Sequence, residues 1–167
     1  MQFNVECIAA SAATAGTFEN LTPETLPKGS VSGDGSVAYV VPWGTNSAGR
    51  FLAAAMRADL RVHGSDKPFT MNGRKFPAGT LIIKVAENST VQGLAEKVRA
   101  MSAASGAEVL GVASSWVDDG PNFGSRWVQF LRRPRVALAW DRPSASGSAG
   151  HTRYVLERQF GYPVTPI

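Results

Sequence analysis

A strand-length apolar run, a small-residue loop and a helix follow one another twice in this sequence. That recurrence narrows the fold more than any other feature. Val136-Ala-Leu-Ala-Trp140 has strand length, and Asp141-Arg-Pro143 stops it. Ser144-Ala-Ser-Gly-Ser148 reads as a flexible turn, and His151–Phe160 reads as a helix ended by Gly161 and blocked by Pro163. Upstream, Val37–Val41 is an unbroken apolar run of the kind that suits a strand covered on both faces. Pro42-Trp-Gly44 ends it, and Asn46 or Ser47 is placed to cap a helix. Phe51, Leu52, Ala55, Met56 and Leu60 then recur at helical spacing to about Val62. Strand, loop, helix is half of a βαβ unit, so the expected fold is α/β: an open, mostly parallel sheet flanked by helices.

The remaining elements fit that frame. Asn72-Gly73 between short apolar-containing arms predicts a β-hairpin. Thr80–Val85 and Glu108–Val112 predict further strands, and Ser125–Leu131 alternates in part. Ser89 with Gln92 has capping-box spacing, followed by the stripe Val91, Leu94, Val98 and Met101. Residues 1–35 hold prolines and glycines with weak periodicity, which predicts a linker or wrapping arm. Residues 36–167 are then one α/β domain. A strand–helix unit in a parallel sheet is normally followed by another strand. Val164–Ile167 begins one where the chain stops, so the expectation is a polypeptide truncated relative to a longer parent.

At 167 residues with a formal net charge of +4, the basic excess is mild. The densest group, Arg132-Arg-Pro-Arg135, lacks the interleaved aromatics of a nucleic-acid face and reads as a solvated turn. No apolar run approaches the roughly 18 residues of a membrane span. Met1–Ala10 has no Lys or Arg and carries Glu6, unlike a signal peptide. Compartment is left open. A single cysteine, Cys7, excludes an intramolecular disulfide, and no glycine elbow surrounds it.

Little chemistry is spelled out. Zinc needs three or four converging ligands, and His63, His151 and Cys7 are far apart in sequence, so no cofactor is expected in this chain. No Gly-x-Ser-x-Gly elbow occurs; Ser146-Gly-Ser-Ala-Gly150 comes nearest. Ser146 and Ser148 lie in a strand-to-helix turn, where free N–H groups favour anions, although a tight structural turn is the simpler reading. Asp118 and Asp119 are adjacent in a polar loop, as turn-makers or, with Asn122, as cation ligands. Trp43 and Trp116 each follow a strand. They would share one pocket if both strands ended at the same sheet edge, or cap the core. Trp43, Trp116, Asp118, Asp119, Ser146 and Ser148 are therefore the candidate ligand-binding residues, and no residue is assigned to catalysis.

Val37–Trp43, Phe76–Ile83, Ser115–Pro121, Arg135–Trp140 and Gly150–Pro166 together resemble the region after the catalytic domain in large bacterial proteins of the M14 zinc carboxypeptidase family. That region resembles the class I glutamine amidotransferase-like α/β fold. The resemblance implies a non-catalytic accessory domain whose partner is an adjoining peptidase domain. It implies zinc only for that parent domain. The peptidase's two His, Glu, catalytic Glu and Arg motifs are not in this chain, and Cys7 is not on an amidotransferase elbow. Two further readings remain open: a stand-alone small-molecule or anion-binding module, and a degenerate serine hydrolase using Ser114, Ser115 or Ser146. An unfinished sheet also leaves an edge for self-association.

Overall fold

The computed structural model describes residues 27–167, together with 9, 11–13, 15–18, 20 and 22. Cys7 lies outside the described residues. Among the described residues, ten strands and three α-helices follow in order: β1 (Ser30–Gly33), β2 (Ala38–Val41), α1 (Asn46–Arg57), β3 (His63–Ser65), β4 (Phe69–Met71), β5 (Arg74–Phe76), β6 (Leu81–Lys84), α2 (Leu94–Ser105), β7 (Glu108–Val112), β8 (Val128–Phe130), β9 (Val136–Leu138), α3 (Ser146–Arg153) and β10 (Val164–Pro166).

Six strands form one open sheet in the order β1-β7-β2-β6-β3-β8. The mixed α/β class is as expected, but the sheet is not mostly parallel. Only β1 and β7 pair in parallel; β7–β2, β2–β6, β6–β3 and β3–β8 are antiparallel. The cause is an interleaving of two strand–helix–strand units. β2-α1-β3 and β6-α2-β7 each keep their own strands parallel in direction. However, β6 lies between β2 and β3, and β2 lies between β6 and β7. The β4–β5 hairpin reverses the chain between the units, so one runs against the other. This is the split β–α–β arrangement of ferredoxin-like folds.

The unbroken apolar strands sit at the centre. All four residues of β2 are buried, as are Leu81, Ile82 and Ile83 of β6. Their side chains alternate between two cores. Tyr39, Val41, Leu81, Ile83 and Val109 face α1 and α2, where Phe51, Ala55 and Val98 meet them. Ala38, Val40 and Ile82 face the other way, against Phe69, Met71, Phe76 and Phe123. One face of the sheet is thus covered by helices and the other by the hairpin and the loop after β7. Antiparallel strands can therefore read as continuous apolar runs when both faces are covered.

The hairpin forms where Asn72-Gly73 predicts it. Both turn residues have positive φ (51° and 71°), as a type I′ turn requires. Phe69 and Phe76 stack across it at 4.9 Å. Arg74 holds Glu108 in two parallel hydrogen bonds of 2.8 and 2.7 Å, tying the hairpin to β7.

Other boundaries shift for local reasons. Thr45, not Asn46 or Ser47, caps α1, its hydroxyl accepting from the Ala48 N–H at 3.2 Å. The Ser89–Gln92 capping box does not form. Residues 86–88 make a 3-10 turn instead, and α2 starts after Gly93, whose φ is 64°. The span 1–35 contributes β1, which pairs with β7 and is pinned by the buried Ser102 hydroxyl donating to the Ser30 carbonyl. The sheet thus begins inside the stretch expected to be an arm.

The strand–loop–helix unit at Val136 exists but does not organise the fold. β9 and β10 form a separate two-stranded parallel sheet, with α3 and a π-helical continuation (Tyr154–Gln159) as the crossover. Val164–Pro166 is thus a strand, as its composition suggests. The turn is shorter than expected, because α3 begins at Ser146. The unit rests on α1. Arg50 Nε donates to the Gln159 carbonyl at 2.9 Å, and Arg57 donates to that of Gly161 at 3.0 Å. The Phe160 ring lies so close to Gly49 that a methyl there would sit 2.7 Å from it. Within the unit, the Tyr162 hydroxyl donates to the Pro134 carbonyl at 2.6 Å.

Candidate functional site

The six sequence-derived candidates fall into three separate places. Trp43 follows β2 and Trp116 follows β7. Because those strands are antiparallel, with Ala38 opposite Val112, their C-terminal ends lie at opposite edges of the sheet. The two indoles therefore line different cavities. The shared pocket depended on a parallel sheet, and that premise is absent.

Asp118 and Asp119 act locally. The Asp118 carboxylate accepts the Gly73 N–H at 2.9 Å, closing over the hairpin turn. The Thr70 N–H donates to the Asp119 carbonyl at 2.8 Å, and the Asp118 N–H donates to the Thr70 carbonyl at 2.8 Å. The loop thereby extends the hairpin by one bridge. Trp116 is left 76% exposed beside it. Ser146 and Ser148 sit exposed in the first turn of α3. Among the described residues, Ser114, Ser115 and Ser146 have no hydrogen bond to a histidine or a carboxylate. No three His, Cys, Asp or Glu side chains gather as a metal set there either.

A cleft of about 870 Å³ lies between α1 and the β9–α3–β10 unit. Gly49, Leu52, Ala53 and Met56 of α1 form its floor, and Leu156, Phe160, Val136 and Tyr162 form the facing wall. Trp43 and Thr45 stand at one end. Phe130, Leu131 and Arg132 close the other, beside the C-terminus of α1. The Leu131 N–H donates to the Val62 carbonyl and Arg133 pairs with Asp59 at 3.0 Å, fixing that placement. Size and apolar lining are those of a small-molecule site.

Of these residues only Trp43 is among the candidate ligand-binding residues read from the sequence. The signal for the rest was present in α1. Phe51 and Ala55 form one apolar stripe, while Gly49, Leu52, Ala53 and Met56 form a second beside it. A helix apolar over that much of its circumference has more than one surface to cover. Arg132 read as part of a solvated turn.

A buried histidine with a shifted pKa lies outside the cleft. His63 of β3 is buried, with Nε2 3.4 Å from Glu87 and Nδ1 without a partner. Burial first, then the charge of Lys84, lowers its pKa; Glu87 opposes this and Arg61 adds to it. The unfolded histidine protonates near its ordinary 6.5, so below that value the unfolded state binds more protons than the folded one. Stability is therefore complete above 6.5 and is lost as pH falls toward the lowered value. Glu87 and Glu108 titrate below their ordinary 4.5 and stay charged in that window. The melting temperature should drop between about pH 7.5 and about pH 5.5, and His63→Asn should flatten that slope. A wild-type melting temperature constant across the window would contradict this.

The chain matches no protein-family model, no curated protein and no solved structure.

Proposed function

We propose that this chain is a non-catalytic binding domain, an accessory α/β domain of a zinc-carboxypeptidase-like protein, whose working part is the cleft between α1 and the β9–α3–β10 unit. The cleft carries the reading: a preformed apolar recess of ligand size, built by two units of the fold that meet along one helix. The five sequence stretches that resemble the region after an M14 catalytic domain support the accessory role. They make an adjoining peptidase domain the expected partner.

The test is titration of the chain with Nile red, a neutral apolar dye, followed by fluorescence. Saturable binding is expected. Leu156→Glu, which puts a charge on the cleft wall, should weaken it about tenfold, as loss of a few tens of Å² of apolar contact predicts. Absence of saturable binding, or equal binding by the variant, would remove the cleft from the reading. Zinc-dependent release of C-terminal amino acids from peptides by the purified chain would overturn the non-catalytic part.

A further inference from the structure

The geometry points to the ligand class: we infer that the cleft takes an amphipathic carboxylate, its apolar chain lying along α1 and its carboxylate at Arg132. This inference rests on the binding reading above.

The cleft follows α1 from Asn46 to Met56, eleven residues, or about 15 Å of helix rise. It is apolar along that length, which suits an extended or aromatic hydrocarbon body. Its two ends differ. Trp43, Thr45 and Asn46 form an uncharged end. At the other stands Arg132, the one charged side chain among the described residues of the lining, with no aspartate or glutamate among them.

Arg132 is also free to engage a ligand. Among the described residues it forms no salt bridge and no side-chain hydrogen bond. Its cationic neighbours are already occupied or lie next door. Arg133 is paired with Asp59 and Arg57 donates to the Gly161 carbonyl. Arg135 lines an adjoining recess that shares Pro134, Val136 and Tyr162 with the cleft. The end at Arg132 is therefore net positive, with Asp59 already neutralised.

A neutral ligand would leave the guanidinium unused, and an apolar cation would be repelled by it. A small inorganic anion would leave the apolar trough empty. A carboxylate on an apolar chain uses both, because guanidinium and carboxylate match as a two-pronged, charge-assisted pair. Part of that pairing is open to solvent, so its contribution is modest compared with that of the chain.

The experiment displaces Nile red with decanoate, decanol and decyltrimethylammonium, each below its aggregation threshold, at low ionic strength. Decanoate should bind roughly fivefold tighter than decanol, and the cation weakest. Arg132→Gln should bring decanoate down to the affinity of decanol. If decanol binds as well as decanoate, the carboxylate assignment falls while the binding reading stands. A decanoate preference that survives Arg132→Gln overturns the residue assignment. Nile red binding that none of the three displaces overturns the proposal, and no Nile red binding at all removes the reading beneath it.

Discussion

Replacing Phe51 by alanine is expected to cost about 3–5 kcal/mol of folding free energy. Phe51 is fully buried on α1. It sits in the core shared by Tyr39, Val41, Leu81 and Ile83 of the sheet and Val98 of α2. Those strands are paired on both sides and cannot move inward, so the space left by the ring stays largely empty. Domains of this kind hold about 5–15 kcal/mol in total, so the change consumes much of the margin. Urea denaturation measures it, and Phe51→Leu, which keeps most of the volume, should cost less than about 1.5 kcal/mol. Equal midpoints for wild type and Phe51→Ala would mean that α1 does not pack as described.

Asn88→Ala is expected to cost about 3 kcal/mol by a different route. The side chain is 2% exposed, in the 3-10 turn after β6. Its Oδ1 accepts the Arg61 N–H at 2.8 Å. Its Nδ2 donates to the Arg61 carbonyl at 3.1 Å and to the Lys84 carbonyl at 2.9 Å. One amide thus imitates a strand partner for the segment entering β3. Alanine would leave one donor and two acceptors of the backbone without it, each in a site that water reaches poorly. Hydrogen exchange gives the local check: the Arg61 amide should lose protection in Asn88→Ala by more than amides of β2. Unchanged protection at Arg61 would rule out the bridging role.

Much of the fold was legible in the sequence where the determinants are local. The Asn72-Gly73 turn needs two residues with positive φ and has the pair best suited to supply them. The runs at Val37 and Thr80 have the composition of doubly covered strands, and both strands are buried on two sides. Strand direction was not legible. Val37–Val41 followed by a helix looks the same whether the next strand lies beside it or one place further along. That choice is made by β6 pairing with both β2 and β3, a contact far from either in sequence. The error propagated to the site. Trp43 and Trp116 were paired on the assumption of one common sheet edge, and reversing β7 separates them. Ser146 was read as loop because its neighbours are glycine and serine, yet the backbone there is already helical. The Arg132 cluster offered no clue of its own, since its role depends on a helix some eighty residues upstream.

The interleaving of β2-α1-β3 with β6-α2-β7 has a consequence for how the chain reaches its fold. Each unit brings its two strands to positions separated by the width of one missing strand, about 10 Å between axes. Neither can close its own hydrogen-bond ladder, because the strand that fills each gap is supplied by the other. Neither unit alone therefore has a continuous sheet. The central pairings span long loops, whose closure entropy is met before any ladder rewards it. Such a topology orders late and all at once, with a folding rate set by distant contacts and not by its helices. The hairpin at Asn72-Gly73, short and locally encoded, does not depend on that interleaving, and it marks the point where the chain turns back into itself.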